Sequence, residues 1–518
     1  MHESPDDGYD SIGREAFEAT IAPLQAAQAS GASSARQLTA ACLARVAALD
    51  RAGPGLRAVL EVNPDALSIA EALDDERASG AVRGPLHGIP ILVKDNIDTA
   101  DSMLTTAGSL ALANSRPAQD ATVVARLRQA GAVILGKANL SEWANFRSPR
   151  SSSGWSGRGG QTRNPYVLDR SPSGSSSGSA VAVAASLCVV ALGTETDGSV
   201  IAPSAACGIV GLKPTVGLTS RAGVIPIAPT QDTVGVHARC VADAALVLGA
   251  LVGADHRDGA TQASAGRFDV DYTRFLDRDG LAGARLGVLR DRGMVGYNQH
   301  VDAAYARHLE QLQRMGAELV DPVSLAAEQP EGDDEWTVLL VEFRAALAAY
   351  LATRRPGPSG RAPLRTLAEV IAFNEAHSAD EMPYFGQETL VESERSVGVD
   401  DPAYLAALAR SRDAMRVRID ALLADHRLDA LIAPSGPPAC VVDLLNGDRG
   451  GGGCTSPAAR AGYPLLTVPA GEVHGLPLGL TFMGTAFSEP ALIRLAYGFE
   501  QHTCARRPPR YLPTLRLP

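Results

Sequence analysis

Two short segments rich in serine and glycine, residues 173–179 and 193–199, stand on either side of a single apolar run. Small aliphatic residues at 180–185 predict a buried helix, and residues 187–192 predict a buried strand. Because a helix followed by a strand returns the chain to the same sheet, we expect both segments to meet at one edge of it. This constrains the fold to the α/β class and places a candidate functional site between the two turns.

The rest of the chain continues this alternation of helices and strands. Helices are predicted at 122–130, 241–251, 300–316, 334–353 and 491–501, and strands at 91–93, 132–136, 208–214, 428–433, 465–469 and 478–482. No internal repeat and no Pro/Gly linker divides residues 1–518. We therefore predict one large α/β domain, with a central mixed β-sheet covered by helices on both faces and mainly helical structure at 255–425.

Charge and cysteine content argue against several classes of protein. The 47 basic and 58 acidic residues give a net charge of −11, so the chain has no electrostatic basis for binding nucleic acid. The seven cysteines form no C-x-x-C pair, so the sequence indicates neither a disulfide framework nor a zinc site.

Hydropathy bears on where the protein works. The first ten residues are acidic and polar and show no signal-peptide pattern. The longest apolar stretch, residues 180–192, is too short to span a bilayer. We expect a soluble, cytoplasmic monomer with no membrane partner, although a secreted or periplasmic form that has lost its signal peptide has the same sequence.

Three interpretations compete for the two Ser/Gly segments. Residues 193–198 have the glycine spacing of a P-loop, but Ser199 stands where the phosphate-binding lysine must follow. Residues 174–178 match the nucleophile elbow G-x-S-x-G, but a polar loop with two prolines precedes them instead of the required strand. The third interpretation is a pair of serines, Ser175 and Ser199, served by Lys94 at the end of the strand at 91–93.

This third combination resembles the amidase signature family. Lys94 follows a His87-Gly-Ile-Pro turn, Ser175 lies in the first Ser/Gly segment, and Ser199 ends the second. Residues 136–143, 163–165 and 207–214 supply supporting matches. The resemblance implies the amidase signature fold over 1–518, with a signature core at 80–245 and an insertion at 255–425 that contributes to a substrate cleft.

Within that family the sequence is most similar to bacterial peptide amidases, which remove the C-terminal amide from peptides. Residues 141–147, 159–165 and 193–199 resemble that subgroup's versions of the motifs. The wider family usually carries Gly-Gly-Ser-Ile/Val-Arg at the second segment, whereas this chain has Asp197-Gly-Ser-Val-Ile201. The missing arginine calls the usual local ion pairing into question but leaves the serine in place.

The resemblance also implies roles for the three residues. Ser199 is expected to be the nucleophile, Ser175 the proton relay and Lys94 the base, with a cis peptide bond between Gly174 and Ser175. A lysine acts as a base only when neutral, so burial must lower its pKa from ~10.4 towards ~7–8.

The turn before the nucleophile is expected to form an oxyanion hole. Its backbone N–H groups belong to Thr196, Asp197, Gly198 and Ser199, and Ser176 is expected to support the network. The side chains suggested for substrate binding are Trp143, Asn145 and Phe385. The resemblance implies that the family's divergent parts bind the substrate, and in this chain those are the helical region 330–400 and the loop 434–456, to which these three side chains are added.

Each residue taken alone has a simpler interpretation. Lys94 could form a surface ion pair with Asp95, Ser175 could lie in a linker, and Ser199 could cap a helix. The joint match in this order favours the catalytic interpretation over all three. His377 and Glu381 show no metal-ligand pattern and are predicted to lie on a solvated helix face.

The sequence therefore predicts an amidase that uses no metal and no cofactor. It is expected to convert an amide and water to an acid and ammonia through an acyl-enzyme, with a peptide C-terminal amide as the preferred substrate. The alternatives are small aliphatic or aryl amides, the glutaminase-type subunit of a tRNA-dependent amidotransferase, and an inactive binding protein on the same scaffold.

Overall fold

The computed structural model describes residues 18–326, 333–357, 360, 362–449 and 451–515. The acidic residues 1–10, on which the expectation about a signal peptide depends, lie outside this range. Among the described residues, no helix is both long and apolar enough to cross a membrane.

The described part of the chain is built on a mixed sheet of eleven strands. The strands of this sheet are β1 Val59–Val62, β2 Pro90–Lys94, β4 Val133–Ala138, β7 Val190–Glu195, β8 Val210–Lys213, β9 Thr233–Ala238, β10 Arg285–Leu289, β11 Glu318–Val323, β13 Ala430–Pro434, β14 Leu465–Val473 and β15 Leu476–Met483. Their order across the sheet is β1-β4-β2-β7-β9-β8-β14-β15-β13-β10-β11. Two small ribbons pair β3 Ser115–Arg116 with β12 Arg355–Pro356, and β5 Trp155–Ser156 with β6 Gly160–Gln161.

Helices flank this sheet. They are α1 Ile21–Ala29, α2 Ala35–Arg45, α3 Ala66–Ala78, α4 Thr122–Gln129, α5 Ser177–Ala184, α6 Ile201–Ala206, α7 Val241–Leu251, α8 Gln299–Arg314, α9 Asp334–Ala352, α10 Leu367–Ala376, α11 Ser378–Glu381, α12 Glu388–Glu394, α13 Pro402–Leu408, α14 Ala414–Asp425, α15 Ser456–Ala461 and α16 Glu489–Thr503.

Alternation along β2 shows why both faces are covered. Ile91 and Val93 belong to an apolar cluster that includes α4, α7 and α16, whereas Leu92 belongs to a second cluster with α2, α3 and α5. Successive residues of a strand point to opposite faces, so a strand that is apolar throughout needs helices on both sides. The predicted single α/β domain with a mixed sheet is confirmed.

Most predicted elements agree with the structure to within a few residues, as for the helix at 241–251 and the strand at 91–93. The region 255–425 contains the helices α8 to α14, but it also supplies β10 and β11 to the main sheet. Residues 187–189 belong to the turn before β7 and not to the strand itself.

The sheet brings the two Ser/Gly segments together. β2 and β7 are adjacent and parallel, so both end at the same edge. Lys94 is the last residue of β2, and the second segment continues directly from the end of β7. The first segment runs into α5, which packs against β7. The crossover of helix and strand expected from the sequence is therefore present.

Candidate active site

Lys94, Ser175 and Ser199 converge at this edge of the sheet. The Lys94 Nζ atom donates a hydrogen bond to the Ser175 Oγ atom over 2.7 Å. The backbone N–H of Ser176 donates to the carbonyl oxygen of Ser199 over 3.1 Å, which joins the two segments. Lys94 is fully buried and Ser175 is 1% exposed, whereas Ser199 is 8% exposed. The lysine is thus screened from water, and Ser199 is the most accessible of the three.

The environment of Lys94 favours its neutral form. Burial lowers the pKa of Lys94 to about 7, against the attraction of the Glu195 and Asp232 carboxylates. The Asp95 carboxylate accepts hydrogen bonds from the backbone N–H groups of Thr106 and Gly108, so it is held away from a surface ion pair with Lys94.

The sequence did not identify Thr194 as a partner of this lysine. The Thr194 Oγ1 atom lies 2.8 Å from the Lys94 Nζ atom and accepts a second hydrogen bond from the Asn96 side chain over 2.9 Å. The carbonyl oxygen of Thr194 is 3.2 Å from the same Nζ atom. Nothing in the residue type marks Thr194, because its contact depends on the pairing of β2 with β7.

Two buried carboxylates, those of Asp232 and Glu195, hold the turn that carries Ser199 in place. The Thr196 hydroxyl donates to the Asp232 carboxylate over 2.6 Å, and that carboxylate also accepts from the backbone N–H groups of Ile227 and Ala228. One oxygen of the Glu195 carboxylate accepts from the N–H groups that open α6. These bonds fix both ends of the turn.

The backbone N–H groups of this turn are free of protein acceptors in the part of the chain that the structure describes. Gly198 has a φ of +76°, a conformation that glycine adopts without strain. Among the described residues, no protein acceptor binds the N–H groups of Thr196, Asp197, Gly198 and Ser199. Free N–H groups in a turn form an anion-binding concavity.

The turn that carries Ser175 is equally constrained. The peptide bond between Gly174 and Ser175 is cis. The Ser175 carbonyl oxygen accepts from the Ser141 N–H over 3.0 Å. The Ser176 hydroxyl donates to the Thr194 carbonyl oxygen over 3.1 Å and accepts from its N–H over 3.2 Å. Ser176 therefore attaches the start of α5 to β7, next to the contact between Lys94 and Ser175.

A buried histidine also lies beside the site. Burial and the nearby Lys94 lower the pKa of His237 to about 3, so its ring is neutral. Its Nδ1 atom pairs with the Ser204 hydroxyl over 2.8 Å. His87, by contrast, is held in a structural turn, where its Nε2 atom lies 2.8 Å from the Leu73 carbonyl oxygen.

The three side chains suggested for substrate binding lie in different environments. Trp143 is 2% exposed and belongs to an apolar cluster that also contains Phe343. Phe385 packs edge-on against Trp155, with ring centroids 5.1 Å apart. Asn145 is exposed, and its side-chain oxygen accepts from the Ser151 hydroxyl over 2.7 Å.

The prediction that Glu381 faces solvent is wrong. Its side chain is fully buried and accepts from the Ser109 hydroxyl and the Leu110 N–H, whereas His377 is exposed. The guanidinium of Arg147 donates to the Glu142 carboxylate over 2.7 Å and to the Glu381 carbonyl oxygen. Helical periodicity missed this because the partners of Glu381 come from distant segments.

Comparison with known proteins extends the likeness to almost the whole chain. The amidase family pattern matches residues 37–493. The X-ray structure of native peptide amidase from Stenotrophomonas maltophilia has a TM-score of 0.89 and 53% identity, covering 95% of this chain and 99% of that one. A probable amidase of Arabidopsis thaliana is 42% identical over 96% of this chain and 92% of its own length. A glutamyl-tRNA(Gln) amidotransferase subunit of Chloroflexus aurantiacus is 37% identical over 94% of this chain and 97% of its own length.

Proposed function

This chain belongs to the amidase family, and on that premise we propose that its preferred substrate is the C-terminal amide of a peptide, cleaved by a Ser-Ser-Lys mechanism. The observation that carries the mechanism is the 2.7 Å contact between the buried Lys94 amine and the Ser175 hydroxyl. The 53% identity to a peptide amidase supports the substrate.

In the proposed reaction, neutral Lys94 accepts a proton from Ser175 while Ser175 accepts one from Ser199. The Ser199 oxygen then attacks the amide carbon and forms a tetrahedral intermediate. The relay returns the proton to the leaving nitrogen, the carbon–nitrogen bond breaks, and ammonia departs from the acyl-enzyme. Water attacks the ester by the same relay, which releases the acid and restores Ser199.

The intermediate carries a negative oxygen that needs hydrogen-bond donors. The unpaired N–H groups of residues 196–199 are the proposed oxyanion hole, and Ser176 keeps the two turns in register. One such donor contributes about 2.7–4 kcal/mol in the transition state. We place the peptide portion of the substrate along Trp143, Asn145 and Phe385, with the insertion 255–425 lining part of the cleft.

Glutamine is the second candidate substrate, because a glutamyl-tRNA(Gln) amidotransferase subunit is 37% identical over nearly the full chain. Incubation with peptide amides, free small amides and glutamine, followed by ammonia release and product mass, separates the two. We expect kcat/KM to be highest for a peptide amide. Equal or higher rates with small amides or glutamine would remove the peptide proposal and leave the amidase activity standing.

Variants test the roles of Ser199 and Lys94. Ser199→Ala is expected to lower kcat by roughly 10⁴-fold or more, as expected when a serine nucleophile is lost. Lys94→Ala is expected to lower it by about 10²–10⁴-fold, the usual contribution of a general base. Ser30→Ala, at an exposed position after α1, is the control and should retain the wild-type rate. Full activity in either site variant would refute the mechanism.

A further inference from the structure

The side chain of Asp197 makes contacts that the oxyanion-hole proposal does not use. Its carboxylate accepts one hydrogen bond from the Thr455 hydroxyl over 2.6 Å and another from the Ser456 hydroxyl over 2.5 Å. These partners lie 258 and 259 positions further along the chain. Asp197 stands two positions before Ser199, so the bonds act directly on the turn that carries the serine.

The segment that supplies these hydroxyls is well anchored. Thr455 precedes α15, whose residues Ala458 and Ala461 are fully buried, and Cys454 is fully buried as well. The Thr455 hydroxyl does not cap α15, although threonine often caps a helix in this way. It points to Asp197 instead, so a fixed part of the core holds one side of the turn.

The backbone also approaches closely at this point. A Cβ atom placed on Gly198 would lie 3.1 Å from the Thr455 Oγ1 atom. The contact therefore reaches the residue directly before Ser199. Any displacement of Thr455 changes the space available to the N–H groups that surround the serine.

Another residue beside Ser199 packs against the same segment. Ile201, which stands where the wider family usually has arginine, is fully buried in one apolar cluster with Cys454, Ala458 and Ala461. Asp197 thus makes hydrogen bonds to the segment 454–461, and Ile201 adds apolar packing against it.

We propose that Asp197 is a positioning residue that holds the nucleophile turn against the segment 454–461 through Thr455 and Ser456. The inference depends on the proposed function, because it assigns the turn to catalysis. Thr196 and Glu195 hold the turn through Asp232 and the first N–H groups of α6, and Asp197 holds it through Thr455 and Ser456. Loss of the Asp197 contacts leaves the turn folded, but it lets the N–H groups of residues 196–199 and the Ser199 hydroxyl move relative to each other.

The test begins with variants on the far side of the contact, which leave the turn's own sequence unchanged. Thr455→Val keeps the shape but removes the hydroxyl, and we expect kcat for a peptide amide to fall about tenfold, with KM within about threefold. Thr455→Ser restores the hydroxyl and is expected to retain at least half of the wild-type kcat. Ser456→Ala should have a smaller effect, because Ser456 is exposed and its bond competes with water.

The control variant is Thr485→Val. The Thr485 hydroxyl also donates to a carboxylate, that of Asp420, over the same 2.6 Å. It lies outside the nucleophile turn, so its loss should leave kcat unchanged. Thermal unfolding of every variant separates a misplaced turn from a loss of folded protein.

A second measurement does not depend on amide hydrolysis. A fluorophosphonate forms a phosphorus–oxygen bond with an activated serine and releases fluoride, and mass spectrometry locates the modified residue. The rate constant for labelling Ser199 is expected to fall in Thr455→Val along with kcat, and to recover in Thr455→Ser. If the wild-type protein hydrolyses no amide of the panel, the proposed function fails, and the labelling rates alone decide the inference.

Two results would overturn the inference. In the first, Thr455→Val keeps both kcat and the labelling rate within about threefold of the wild-type values. In the second, KM rises while kcat and labelling are unchanged, which would assign the contact to substrate binding.

Discussion

At the scale of the residue, the lysines show how burial is used in this protein. The chain has three lysines, Lys94, Lys137 and Lys213, and all three are fully buried. Burial lowers the pKa of Lys94 to about 7 and that of Lys213 to about 8, and it lowers the pKa of Lys137 as well. Arginine keeps its charge when buried, whereas lysine can lose its proton. Of these two residue types, only lysine can therefore serve as a neutral base at the position of Lys94.

The proposed base sets the pH dependence of the reaction. Below its pKa, Lys94 is protonated and cannot accept a proton, so kcat/KM should rise with pH through about 7 and then level off. Asp232→Asn removes a negative charge that stabilises the ammonium form, so the rising limb should move to lower pH. A pH–rate profile between pH 5 and 9 measures both effects.

The matched control for that profile is Asp243→Asn. Burial raises the pKa of both Asp232 and Asp243 to about 6, but Asp243 accepts from the Ile21 N–H at the start of α1 and does not act on Lys94. In Asp243→Asn, the rising limb of the pH–rate profile should stay at the wild-type position. A limb that moves to higher pH in Asp232→Asn would contradict the assignment of Lys94 as base.

At the scale of the element, one buried cluster joins the short helix α11 to the loop after β4. Arg147 binds the Glu142 carboxylate and the carbonyl oxygens of Glu381 and Phe385, and its guanidinium lies 4.2 Å from the centre of the Phe385 ring. The Glu381 carboxylate lies 3.8 Å from the same guanidinium, so two carboxylates share one positive charge. Burial, together with the negative charge of Glu381, raises the pKa of Glu142 well above its ordinary value.

This cluster predicts a pH-dependent difference in stability. A carboxyl group whose pKa is raised in the folded state contributes stability that is present at low pH and is lost as the pH rises through the folded pKa. Glu381→Gln removes the charge that raises the pKa of Glu142. The Tm of this variant relative to wild type should therefore increase between pH 5 and pH 8, by about 1 °C for each 1 kcal/mol of unfolding free energy in a chain of this length.

Glu310→Gln is the control for the stability measurement, because Glu310 is largely exposed on α8. Its Tm relative to wild type should stay constant over the same range. A Glu381→Gln variant whose relative Tm falls as the pH rises would show that the two carboxyl groups do not interact in this way.

At the scale of the whole molecule, the main apolar cluster predicts a single folding unit. It contains residues from α1 to α16 and includes Leu286 and Val288 of β10 and Tyr305 of α8, which lie within the insertion 255–425. Elements that share one core are expected to unfold together, as they do in small single domains. Enzymatic activity and the fluorescence of Trp143, Trp155 and Trp336 should therefore be lost at the same urea concentration. Two separate transitions would show that 255–425 is an independent domain.

The sequence by itself determined the class of the fold and the positions of the three proposed catalytic residues. The period of the apolar residues defined β2, β7 and α7, because it records which faces of an element are buried. The helix and strand between the two Ser/Gly segments required those segments to meet. Family resemblance then distinguished Ser175 and Ser199 from the other serines of the same segments.

Only the tertiary structure decided the surroundings of those residues. The low pKa of Lys94, its contact with Thr194 and the charge of Asp232 beside it depend on strand pairing and on the depth of burial. The contact between Asp197 and Thr455 joins positions 258 residues apart, and Glu381 is buried by segments remote from its own helix. Local periodicity cannot specify such partners, because electrostatic environment and hydrogen bonding depend on which distant segments meet.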